Sequence, residues 1–148
     1  MKQKLVKIHA IAATCALLMI TVFFISTLIS ELSGNLLYIT TVKSYIFYAI
    51  WLLIPTMAIA GITGNKLAPK ANSGTIGAKK KRMPFIALNG LVVLIPSAVY
   101  LKSLALTGRF DTTFYIVQGI ELIAGFANIT MMSLNLRDGL KIRNQRKK

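Results

Sequence analysis

The chain has 148 residues, is 55% hydrophobic and carries a formal net charge of +14. A soluble domain of this length is less apolar and nearer to neutral. Because long apolar runs divide the basic charge into blocks, the sequence lacks the continuous basic surface of a nucleic-acid binder and has the pattern of a membrane protein.

Met1 to Lys7 is a short basic stretch leading into the first apolar run, about residues 8–30. That run is longer than the apolar core of a signal peptide, and Glu31-Leu32-Ser33-Gly34 after it has no small-x-small cleavage pattern, so a retained helix is expected. His9, Ala12, Ala16, Met19, Phe23, Ser26 and Ser30 share one face of it at heptad-like spacing. Cys15, the lone cysteine, makes no internal disulfide and reads as a small packing residue. The second run, about 44–63, contains Pro55 and ends at Gly61 and Gly64. Residues 64–83 are polar and rich in Gly, Ala and Lys, and predict a mobile basic loop. The third run, about 84–106, contains Pro96; each proline removes a backbone hydrogen bond, so kinks or cavities are expected beside them. The fourth run covers about 113–135, and Arg137-Asp138-Gly139 is expected to close it, with Gly139 as a left-handed cap. Each run covers ~30 Å at the helical rise, the hydrocarbon thickness of a bilayer. Runs of this length are helices rather than barrel strands. The expected fold is all-α: a single-domain integral membrane four-helix bundle.

Orientation follows from the basic residues. Of the eighteen Lys and Arg, only Lys43, Lys102 and Arg109 fall on the side of the two short connections. The rest lie at the N-terminus, in the central loop and in the tail, so both termini are expected in the cytoplasm. The five tyrosines, Tyr38, Tyr45, Tyr48, Tyr100 and Tyr115, cluster near the opposite, outer ends of the runs as half of an aromatic belt.

The fourth run holds the main polar signal. Gln118, Glu121, Gly125, Asn128, Met132 and Asn135 recur at three- and four-residue intervals, which puts them along one helix face. Such a stripe is expected to face protein rather than lipid. Glu121 near mid-membrane is either a neutral acid donating an interhelical hydrogen bond or a functional group carrying a proton, a cation or a contact to a cofactor. Asn89 matches Asn128 in depth and predicts a hydrogen bond between helices three and four, while Ser97 matches Glu121. His9 and Met83 share one level at the inner edge and are the candidate pair for haem b, although no cofactor is expected on composition. Lys79, Lys80, Lys81 and Arg82 form a topology anchor that can contact anionic lipid of the cytoplasmic leaflet or an acidic partner. The chain contains no phosphate-binding glycine loop, zinc-binding histidine pair or nucleophile elbow. Its four acidic residues leave little material for paired-carboxylate catalysis.

The segments Ser30-Glu31-Leu32, Arg82-Met83, Asn89-Gly90, Gln118-x-x-Glu121-Leu122 and Asn135-x-Arg137-Asp138-Gly139 together resemble a group of small bacterial four-helix inner-membrane proteins. The resemblance covers nearly the whole chain; it implies a bacterial cytoplasmic membrane and no particular chemistry. In architecture alone the chain is similar to four-helix b-type cytochromes, but it lacks their paired histidines. Small multidrug transporters are similar in size and carry a lone membrane glutamate, but they balance their basic residues between the two sides. Three functions follow as expectations. The first is a non-enzymatic small subunit or accessory factor packing through the seam, in a homo-oligomer or a larger complex. The second is a proton-coupled transporter using Glu121, and the third a redox protein contacting haem or quinone.

Overall fold

A computed structural model describes residues 2–67 and 74–145 of the chain. Its elements are α1 (Lys2–Ser33), α2 (Leu36–Leu67), α3 (Gly74–Asn89), a π-turn (Gly90–Leu94), α4 (Ile95–Leu106) and α5 (Thr112–Gln145). The segments α3, π-turn and α4 run on as one rod, so the fold is all-helical, with four helices each long and apolar enough to cross a membrane. Neighbours around the bundle are α1–α2, α2–α4, α4–α5, α3–α5 and α5–α1, which leaves α2 and α5 on a diagonal.

The two short connections are built from local chemistry. Gly34, at φ +64°, and Gly108, at φ +68°, take the left-handed conformation that ends a helix. After α4, the Arg109 amide donates to the Leu104 carbonyl at 2.9 Å and the Gly108 amide to Ala105 at 3.1 Å, the paired bonds of a Schellman motif. Asn35 and Asp111 then cap the following helices: Asn35 Oδ1 accepts the Tyr38 amide and Asp111 Oδ1 the Phe114 amide, both at 3.1 Å.

The helices reach past the boundaries expected from hydropathy. Residues 64–67 belong to α2, and residues 74–83, basic cluster included, belong to α3; residues 68–73 of the expected mobile loop lie outside those described. Lys and Arg are good helix formers, so a fall in hydropathy does not stop a helix. For the same reason α5 continues through Gly139, which has no positive φ and so does not act as the expected cap.

The core is thin and sits in three tiers. At the hairpin end, Ile39, Leu101, Leu104, Ala105 and Phe114 pack together. Val42, Ile46, Ile50 and Ala98 fill the middle, and Ala16, Ile20, Ile86 and Met132 the half toward the termini. On α1 the buried line runs His9, Ala12, Ala16, Ile20, Thr27, Ser30. Ile20 and Thr27 thus replace Met19 and Ser26 of the expected face, because a straight helix repeats every 3.6 residues and drifts from a strict heptad. Cys15 lies outward, exposed, and is not a core residue.

Candidate functional site

Polar side chains inside this bundle form three groups along its length. In the hairpin half, Lys43 is among the largest fully buried side chains of the described residues, at 1% exposure. Its register explains this: Ile39, Lys43, Ile46 and Ile50 follow one another at helical spacing on the inner face of α2. From there Lys43 reaches across the diagonal, and its Nζ donates to Glu121 Oε2 at 2.6 Å. Gln118 Nε2, one turn earlier on α5, donates to the same oxygen at 3.0 Å. Glu31 of α1 lies within electrostatic reach of both Lys43 and Glu121. Two buried acceptor oxygens among the described residues, Glu31 Oε1 and Gln118 Oε1, have no donor.

In the middle, Asn89 Nδ2 donates to Asn128 Oδ1 and to the Ala124 carbonyl, each at 2.9 Å. Asn128 Nδ2 returns a bond to the Ile86 carbonyl at 3.3 Å. Asn128 is fully buried, and its amide nitrogen lies at ordinary contact distance from Gly90 on the third rod.

Toward the termini, Arg82 Nη1 bridges α3 to α5, donating to Asp138 Oδ2 at 2.7 Å and Asn135 Oδ1 at 3.2 Å. Arg137 flanks the same carboxylate. His9 Nδ1 faces the Ala60 carbonyl at 3.0 Å and Thr63 Oγ1 at 3.2 Å; only an N–H can serve a carbonyl, so Nδ1 carries a proton. Met83 meets His9 over Gly64, where an added Cβ would lie 2.8 Å from Met83 Cε and 3.0 Å from His9 Cε1.

Two cavities run beside these groups. One, of about 420 Å³, is walled by apolar residues of all four helices together with Thr27, Glu121 and Asn128. The other, of about 770 Å³, lies toward the termini and includes His9, Asn65, Lys79, Lys80, Asn135 and Arg143 in its lining. Met57, Gly61 and Ala87 line both, so the cavities adjoin. Their position reflects the packing: α2 touches α4 closely but α3 only sparsely.

Set against the sequence expectations, Gln118, Glu121, Asn128 and Asn135 do lie along one inward side of α5, and Asn89 does bond Asn128. Ser97 is buried but makes no hydrogen bond to Glu121 among the described residues. The π-turn inserts one residue, turning α4 by roughly 100° from a continuous helix, so Ala98 and Leu101 carry the inner line. Arg82 is engaged with Asp138 rather than open to lipid, whereas Lys79 and Lys80 line the larger cavity. Among the described residues, no group of three or more His, Cys, Asp or Glu is placed to hold a metal ion. Sequence reasoning passed over Lys43 and Glu31. Counting Lys43 as an outer charge hid its place in the apolar period of α2, which was the available signal. No protein-family model, curated protein or solved structure matches the chain.

Proposed function

We propose that the chain crosses a bacterial cytoplasmic membrane four times, with both termini inside, and acts as a small proton-linked carrier of an apolar or amphipathic molecule. One observation carries this reading: Glu121 is both the partner of a buried lysine and part of the wall of the central cavity. An ionisable pair at this depth costs more than apolar packing would, which favours a working role. Lys43, Glu121 and Glu31 comprise one cation and two carboxylates, a set that is neutral when it holds one proton. Protonation of Glu121 leaves Lys43 another carboxylate within reach, so a proton can arrive without stranding a buried charge. A guest entering the cavity meets Glu121 directly, and this couples occupancy to the proton.

The test is ligand-linked proton exchange in weakly buffered mild detergent. Octanol, a lysophosphatidylglycerol and a short-chain quinone are titrated in, with binding read by isothermal titration calorimetry and protons from an indicator dye. At least one bound probe is expected to move close to one proton per chain, and Glu121→Gln to abolish the exchange while still binding. Binding of probes with no proton exchange sinks the carrier reading. A second reading, a small subunit or accessory factor in a homo-oligomer or larger complex, draws support from the exposed outer row Tyr45, Tyr48 and Trp51. The seam itself is occupied by the chain's own helices.

A further inference from the structure

The two adjoining cavities differ in chemistry along their length. The central one is apolar except for Thr27, Glu121 and Asn128. The one toward the termini opens among Asn65, Lys79, Lys80 and Arg143, drawn from the inner ends of α2, α3 and α5. Acidic charge is distributed the opposite way. Of the four acids in the chain, Glu31, Asp111 and Glu121 lie in the hairpin half and only Asp138 toward the termini. Asp138 is already held by Arg82 at 2.7 Å and Arg137 at 3.3 Å. Among the described residues the lining of this mouth carries Lys79, Lys80 and Arg143 and no carboxylate, and Asp138, which also attracts Lys79, stands outside it.

The geometry points to a bound anionic phospholipid, its phosphate at Lys79 and Arg143 and an acyl chain threaded past Met57, Gly61 and Ala87 toward Glu121. This names the guest of the carrier proposed above and rests on that reading for its purpose, though not for its binding chemistry. Charge complementarity selects the headgroup end, because a phosphate answers several cations at once. Apolar walls select the chain. On the third rod the lining runs from Lys79 to Ala98, about 28 Å at the helical rise, which is ample for an acyl chain spanning half of a hydrocarbon core ~30 Å thick. Gly139 is part of the construction: Lys79 Nζ lies 3.3 Å from where its Cβ would stand, so the small residue lets the ammonium tuck against α5.

The test is native mass spectrometry of the whole protein released from mild detergent containing equal phosphatidylglycerol and phosphatidylethanolamine. Wild type is expected to retain one phosphatidylglycerol. Lys79→Gln with Arg143→Gln is expected to cut retention at least tenfold. Lys66→Gln with Lys81→Gln removes the same charge from exposed positions outside the cavity lining and is expected to leave retention unchanged. A Cβ at Gly61 meets nothing within 4 Å, so Gly61→Leu narrows the passage without a clash at the backbone. It is expected to weaken retention of long-chain lipid and spare a dioctanoyl one. Equal loss in both charge variants would mean a merely basic belt and overturn the site. Indifference to headgroup, or to Gly61→Leu, overturns it too. Retention in Glu121→Gln is expected to match wild type, so a lipid held without proton exchange defeats the carrier reading and leaves this inference standing.

Discussion

At the scale of single residues, Lys43 and Glu121 dominate. Removing one member of a buried ion pair leaves the other charge uncompensated, which costs about 3–5 kcal/mol, whereas replacing both by apolar groups is often nearly neutral. Lys43→Met is therefore expected to lower stability by that amount, and Lys43→Met with Glu121→Leu to recover most of it. Unfolding in mild detergent, followed by circular dichroism, measures the cycle; a double variant as unstable as the single one would mean that the pair is not the source. Asp111 gives a pH prediction. Bonds from the Phe114 amide and from Arg109 hold its carboxyl below the usual carboxylate range. The folded state thus favours the ionised cap, and the stabilisation is present above the unfolded value and lost as pH falls through the folded one. Wild type is expected to lose stability to acid below about pH 4, and Asp111→Asn, which still caps through its amide oxygen, to lose less over that window.

At the scale of elements, the π-turn decides how the third rod meets its neighbours. The Ile95 amide bonds the Gly90 carbonyl, five residues back. Proline alone does not force this, since Pro55 and Pro84 both sit within α-helix. One residue is extra here, so deleting one, for instance Val92, is expected to restore an α-helical register while Asn89 still faces α5 and Leu101 the core. Deleting Leu122 from α5, which has no such slack, turns half of that helix by ~100° and scatters the seam. Size-exclusion profiles and thermal melts of the two deletions are expected to separate them: the first monodisperse, the second aggregated. Failure of both would show that the π-turn has no spare residue.

For the whole molecule, basic charge sets the proposed orientation. The asymmetry is sharper than composition shows, because Lys43 is neutralised inside the bundle and Arg109 is paired with Asp111 at 3.1 Å. Lys102, the remaining cation of that half, lies 3.7 Å from the Phe47 ring centroid. With Cys15→Ser as background, Leu37→Cys is expected to react with an impermeant thiol reagent in intact cells, and Asn144→Cys only after the membrane is opened. The reverse labelling would invert the proposed topology and put the cationic cavity mouth on the outside.

By itself the sequence determined what depends on composition and period: four long apolar helices, the inward stripe on α5, and the match of Asn89 to Asn128. Apolar length forces a helix, and helical spacing forces a face, whatever the neighbours are. Only the tertiary structure decided which polar groups are partners. Lys43 and Glu121 are 78 residues apart and meet across a diagonal, and no local pattern encodes which helices are opposite. The clamp of Arg82 on Asp138, 56 residues apart, is likewise a tertiary pairing. The cavities arise from the sparse packing of α2 on α3, a property of how the rods lean together and not of any one rod.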